Sequence, residues 1–195
     1  MTKSICVLDG HPDPAPERLG HALADAYAEG AEAAGHAVDK IRVCDLPIAC
    51  LESVSDFAAP PPQPLLSARE QIAEADHVAI FFPLWLGGMP AKLRAFFEHA
   101  ARAAFFIGEA EKEGSWPKKL MKGKSARTVV TMGMPPGVYK LFFDAGGLKA
   151  LERGILGLSG FKPVRHTILG GVDAADQAKI QSWLDEVRKL GGLAA

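Results

Sequence analysis

Three short stretches of this chain place glycines, prolines and aromatic side chains at the ends of apolar runs. The first is Asp9-Gly10-His11-Pro12-Asp13-Pro14-Ala15-Pro16-Glu17-Arg18. A helical repeat follows it, so its end presents free backbone N–H groups and the positive end of a helix dipole, an arrangement that attracts anions. His11 and Arg18 can each add a donor to a phosphate there, with Leu19 opening the helix; on the bland reading they are a turn residue and a solvated side chain. The second is Pro83-Leu84-Trp85-Leu86-Gly87-Gly88-Met89-Pro90, which has no charge and no nucleophile. It offers the apolar faces of Trp85 and Leu86, and backbone amides that Gly87 and Gly88 allow to come close. The third, Thr131-Met132-Gly133-Met134-Pro135-Pro136-Gly137-Val138-Tyr139, has the same character and ends the loop on a hydroxyl. A glycine-rich turn with a core tryptophan would explain either loop alone, and a half-buried packing tyrosine would explain Tyr139.

The elements that must position these stretches alternate between two periods. Ser4 to Leu8, Ala37 to Val43, His77 to Phe82, Ala126 to Met132 and Pro163 to Leu169 read as strands, the third apolar on both faces as a central parallel strand requires. Helical spacing recurs at Leu19, Leu23, Ala26 and Tyr27 up to Gly35, over Ser67 to Ala75, from Pro90 through Leu93, Phe96, Phe97 and Ala100, at Leu148, Leu151, Ile155 and Leu158, and at Ile180, Trp183, Leu184 and Val187, where Asp173 can cap. Residues 46–64 read as irregular because Pro60-Pro61-Pro62 forbids regular structure. Phe105 to Lys124 reads as a polar excursion with a Gly114-Ser115-Trp116-Pro117 break.

Five strands alternating with helices predict an α/β fold, a three-layer sandwich whose parallel sheet is covered on both faces. The turn after the first strand lacks G-x-G-x-x-G, and no G-x-x-x-x-G-K-[ST] loop exists, which together favour the flavodoxin-like order 2-1-3-4-5 over a dinucleotide fold. In that order strands one, three and four end side by side, bringing the three stretches to one edge. One phosphate-compatible helix start and two apolar, amide-rich loops suit a flavin, with amides near the ring stabilising the charge of its reduced form.

Bulk properties narrow the field. The 195 residues fit one domain over 1–195, and 22 Lys and Arg against 23 Asp and Glu leave a net charge of -1, which gives no electrostatic case for nucleic acid. The apolar runs are too short for a membrane span. Three scattered cysteines, Cys6, Cys44 and Cys50, read as free thiols of a cytoplasmic protein, and the histidines have no metal-ligand spacing. The lysines at 118, 119, 122 and 124 read as a solvated face, with a contact to NADPH phosphates as the alternative.

Gly10-His11-Pro12-Asp13-Pro14, Pro83 to Ala91, Thr131-Met132-Gly133, Arg153-Gly154-Ile155-Leu156 and Gly160-Phe161 together resemble the NAD(P)H:quinone oxidoreductase family of flavodoxin-like flavoproteins, in order from Ser4 to about Gly170. The resemblance implies a homodimer holding FAD, or alternatively FMN, that passes electron pairs from NAD(P)H to quinones or other flat small-molecule acceptors. It places His11 near the flavin phosphates, Pro83, Leu84, Trp85, Leu86 and Gly87 along the ring, and Thr131, Met132, Gly133 and Met134 in the second ring-binding loop. Arg18 and Leu19 stand where the family has Ser or Thr followed by Phe. Tyr139 falls on the active-site tyrosine of the animal quinone reductases and would donate to the substrate oxygen or the flavin, but the histidine that accompanies it there is replaced by Ala145. Rival readings are an electron-carrier flavodoxin, a regulatory subunit of a membrane transporter and a flavin-free binding domain.

Overall fold

The centre of the parallel ladder is built from strands whose two faces are both buried. In a computed structural model describing residues 2–110, 114 and 116–195, the elements run β1 (Ser4–Asp9), α1 (Leu19–Ala33), β2 (Ala37–Arg42), α2 (Val54–Ala58), α3 (Leu65–Glu74), β3 (His77–Pro83), α4 (Ala91–Ala100), β4 (Ile107–Gly108), β5 (Lys118–Lys119), β6 (Ser125–Met132), α5 (Pro136–Phe142), α6 (Gly146–Lys149), a π-helical stretch Ala150–Gly157, β7 (Val164–Gly170) and α7 (Gln177–Gly192). The main sheet has the order β2-β1-β3-β6-β7, all neighbours parallel. This is the expected 2-1-3-4-5 order. Only the small antiparallel β4–β5 ribbon intervenes in sequence, within the stretch expected as an excursion. The Gly114-Ser115-Trp116-Pro117 break includes Ser115, which lies outside the described residues.

Alternation along the central strands sorts the side chains into two cores. Cys6, Leu8, Val78, Ile80 and Phe82 face α3, α4 and the π-helical stretch, meeting Ile72, Phe96 and Leu151. Ile5, Val7, Ala79 and Phe81 face α1 and α7, meeting Leu23, Tyr27, Trp183 and Val187. The two helices on that side approach so closely that a Cβ on Gly30 or Gly191 would overlap a backbone carbonyl of the opposite helix, so both positions require glycine.

Several expectations shift. Asp176, not Asp173, caps α7, its carboxylate accepting from the Lys179 amide at 2.8 Å. Asp173 lies instead in a 3-10 turn (Val172–Ala174). The irregular 46–64 segment contains α2, whose start is capped by Ser53 accepting from the Asp56 amide. The helix read at Leu148 to Leu158 is α6 running into the π-helical stretch. Tyr139 does not end a loop; it sits inside α5, because Pro136 supplies a helix-ready φ at the first position.

At the amino edge of the sheet, His77 is 1% exposed and its Nδ1 pairs with Ser125 Oγ at 2.7 Å. The ring stacks on Tyr27, and Nε2 has no partner among the described residues. Burial first, then the nearby Lys3, Arg127 and Arg165 charges, pull its pKa down from 6.5 to about 4. The folded state therefore resists a proton that the unfolded chain accepts. This stability is complete above pH 6.5 and is lost as pH falls toward 4, by about 3 kcal/mol in total. We expect urea unfolding of His77→Gln to lose that part of the acid dependence; an unchanged profile between pH 6.5 and 4 would remove His77 as its source.

Candidate functional site

The carboxyl ends of β1, β3 and β6 are aligned by the ladder, Asp9 opposite Phe81 and Pro83 opposite Thr131. Two backbone bonds tie the loops just beyond them: the Gly10 amide to the Phe81 carbonyl at 2.7 Å, and the Leu84 amide to the Thr131 carbonyl at 2.8 Å. Between the three loops lies a cleft of about 460 Å³, lined from all of them. That volume lies within the ordinary range of small-molecule sites.

The first loop is organised around a buried carboxylate. Asp9 is fully buried, accepts from the His11 amide at 3.2 Å and contacts His21 Nδ1 at 2.5 Å. His21 Nε2 reaches the Asp13 carbonyl at 2.9 Å; a carbonyl can only accept, so this nitrogen is a donor. His11 Nδ1 accepts from the Asp13 amide at 3.1 Å, which leaves Nε2–H as the donor. Burial, and then the neighbouring His21, lower the His11 pKa, so this donor is a neutral imidazole. The ring stands edge-on to Trp85, with centroids 6.2 Å apart.

Arg18 occupies the N-cap position of α1 but makes no side-chain cap. Its guanidinium instead grips Asp13, with Nε to Oδ2 at 2.7 Å. The Ala15 amide, followed by Arg18, holds the Asp13 carboxyl below its ordinary pKa. The start of α1 therefore faces the cleft without a side-chain acceptor of its own, and Leu19 lines the cleft beside it.

In the second loop Pro83, Leu84 and Trp85 line the cleft, while Leu86 and Gly87 do not. Trp85 and Gly88 exchange both backbone bonds, at 2.9 and 3.0 Å, closing a tight turn. Leu86 and Gly87 form its tip at positive φ, 48° and 78°, and the Leu86 side chain is fully exposed. In the third loop Thr131, Met132 and Gly133 line the cleft; Met134 packs against the core instead.

Tyr139 departs most from expectation. Its side chain is fully buried, and its hydroxyl donates to the Gly87 carbonyl and accepts from the Leu148 amide, both at 3.1 Å. The hydroxyl has only one proton to give, and that proton is engaged within the chain. Tyr139 joins two segments and does not line the cleft, where a substrate-donor role was expected.

Sequence reasoning missed a fourth wall. Val172 and Asp173, between β7 and α7, and Ile180 of α7 line the cleft, as do Glu17 and Gly20. A Cβ on Gly133 would overlap the Asp173 carboxylate, so this wall closes directly onto the third loop. No motif signals it; it arises from the return of the chain after the edge strand. Of the lysine cluster, Lys119 donates to the Gly157 carbonyl and Lys124 to that of Ala75. Among the described residues no three His, Cys, Asp or Glu side chains group to hold a metal ion, and no helix is long and apolar enough to cross a membrane.

A parallel five-stranded sheet with a cleft where its first, third and fourth strands end defines a flavodoxin-like α/β protein. The sequence profile described as flavodoxin-like fold matches residues 3–190, and the chain belongs to that family. Among curated proteins it is 31% identical over 129 residues to FMN-dependent NADH:quinone oxidoreductase 1 of Bacillus subtilis; the match takes in 62% of this chain and 57% of the relative, so the chain spans a little over half the length of the relative it matches. Among solved structures it superposes on NAD(P)H:quinone oxidoreductase from Methanothermobacter marburgensis with a TM-score of 0.79 at 21% identity, covering 98% of this chain and 96% of that one. It also superposes on an FMN-dependent NADH-azoreductase from Bacillus anthracis, in complex with FMN, with a TM-score of 0.78 at 15% identity over 100% of both chains. At these identities the superpositions speak for the fold.

The Asp9 network makes a prediction of its own. Asp9→Ala removes the shared acceptor of the His11 amide and His21, and should lower the unfolding free energy by about 3 kcal/mol. Chemical denaturation checks this; a loss below about 1 kcal/mol would mean the network is not what holds the first loop.

Proposed function

We propose that the protein is a flavin-dependent NAD(P)H oxidoreductase that reduces quinones or related flat electrophiles by two electrons, with FMN as its flavin. The observation that carries this reading is the meeting of an uncapped helix start, a half-exposed tryptophan face and the Thr131–Gly133 loop around one cleft. The donor set fits the group: the first turn of α1 and His11 Nε2–H suit a phosphate, and Trp85 offers a surface for a flat ring. When bound, a flavin takes a hydride from NAD(P)H and returns it to an acceptor.

The chain's own residues bind and orient. His11 donates without bringing a charge, and Arg18, held by Asp13, keeps its cation near the helix start. The close Asp173–Gly133 wall narrows the cleft. The match to an FMN-dependent quinone oxidoreductase supports FMN over the FAD that the sequence resemblance favours. A cytoplasmic location accords with the three unpaired thiols. A homodimer is part of the reading, because Leu86, Leu141 and Phe142 leave large apolar side chains exposed at 109%, 79% and 76%.

Two measurements test this. The purified protein should be yellow and release FMN on denaturation; NADH or NADPH should bleach it, and a quinone should restore the colour. A protein that stays colourless with added FMN overturns the reading, and bleaching only by a partner reductase would make it a carrier. In light scattering the mass should be twice 20.7 kDa, and Phe142→Asp should return the single-chain mass; a wild-type mass of 20.7 kDa would remove the dimer.

A further inference from the structure

The turn that carries Trp85 is held from behind by a segment that never enters the cleft. Gly87, at its tip, receives the Tyr139 hydroxyl at 3.1 Å, and the same hydroxyl accepts from the first-turn region of the next helix through the Leu148 amide. Beside this bond Gly147 lies against Gly87 and Gly88 so closely that a Cβ would overlap the Gly87 carbonyl oxygen. Just before Gly147 the chain has a second left-handed pair, Asp144 and Ala145, with φ of 52° and 48°. The Ala145 amide returns to the Tyr139 carbonyl at 3.2 Å, and the Phe143 ring stacks on Tyr139 with centroids 6.4 Å apart. Tyr139 is thus bonded at hydroxyl and backbone to both turns.

We propose that Tyr139 is a positioning residue that acts with Gly147 as a clasp on the Trp85–Gly88 turn and so sets where the flat face of the cleft lies. The inference rests on the flavin reading for its consequence, but not for the clasp itself. Two backbone bonds close the turn on its own, yet they do not fix its tilt relative to β3. Outward from the sheet, Trp85 is half exposed and Leu86 fully so, and neither is packed tightly enough to supply that constraint. Positive φ at Leu86 and Gly87 is what a two-residue turn closed by the Trp85–Gly88 bonds requires, and the Tyr139 hydroxyl bond to the Gly87 carbonyl ties that turn to the segment behind it.

The test uses Tyr139→Phe, which keeps the ring and deletes the bond, and Gly147→Ala, which keeps the hydroxyl but drives a methyl group against the Gly87 carbonyl. In flavin-free protein, hydrogen exchange at the Leu148 amide and across Trp85 to Gly88 should be about three- to tenfold faster in Tyr139→Phe, as expected for the loss of one buried hydrogen bond. Titrated with FMN and read by flavin fluorescence, the same variant should show a dissociation constant raised by about three- to tenfold, with displaced visible absorption bands. Gly147→Ala should weaken FMN further. Tyr27→Phe, which deletes the other buried tyrosine hydroxyl, in the opposite core and without a partner among the described residues, should leave both readouts at wild type. Wild-type exchange rates in Tyr139→Phe overturn the clasp. Faster exchange with wild-type FMN affinity and bands overturns its role in seating the ligand. Failure of the wild-type protein to take up FMN overturns the flavin reading, while the exchange rates still decide the clasp.

Discussion

The site depends on the parallel hydrogen-bond ladder through β1, β3 and β6. Parallel strands leave the sheet at the same edge, so each exit loop begins level with its neighbour. Here the register places Asp9, Pro83 and Met132 within a residue or two of one line. The bonds from Gly10 to Phe81 and from Leu84 to Thr131 extend the ladder one step beyond the strands, so the loops start from fixed positions. Both faces of the central strands are buried against helices, which denies them any register slip: moving by one residue would exchange the two cores.

Charge plays a smaller part in the cleft than its donors do. The imidazole of His11 is neutral, Arg18 is paired with Asp13, and Glu17 and Asp173 bring carboxylates to its lining. An anion would be held chiefly by amides and one imidazole N–H rather than by net positive charge. Such a seat depends on geometry, since aligned donors lose their effect steeply with angle and distance. The buried Asp9–His21 pair beneath the first loop and the Tyr139 bond behind the second therefore support the loops that line the cleft, although none of these side chains lines it.

One group of exposed apolar residues lies at α5 and on the turn that Tyr139 bonds. Leu86, Leu141, Phe142 and Phe143 are all open to solvent. The inner side of α5 carries the buried Tyr139, while Leu141 and Phe142 point away from the core, so one short helix connects an outer apolar surface to the turn that carries Trp85.

The amino-acid sequence by itself determined the alternation of strands and helices, the order of the sheet and nine of the residues around the cleft, among them His11, Trp85 and Gly133. Apolar period and glycine–proline punctuation are local signals, and a parallel sheet turns them into position with little freedom. Tertiary structure decided the rest. Whether a tyrosine hydroxyl faces a ligand or a neighbouring carbonyl depends on which segment packs across from it, and Gly147, eight residues further on, supplies that packing at Tyr139. Asp173 is read from sequence as a helix cap, yet the cap bond falls to Asp176 and Asp173 becomes a wall of the cleft. A carboxylate serves either purpose equally well, and only the path of the chain after β7 chooses between them.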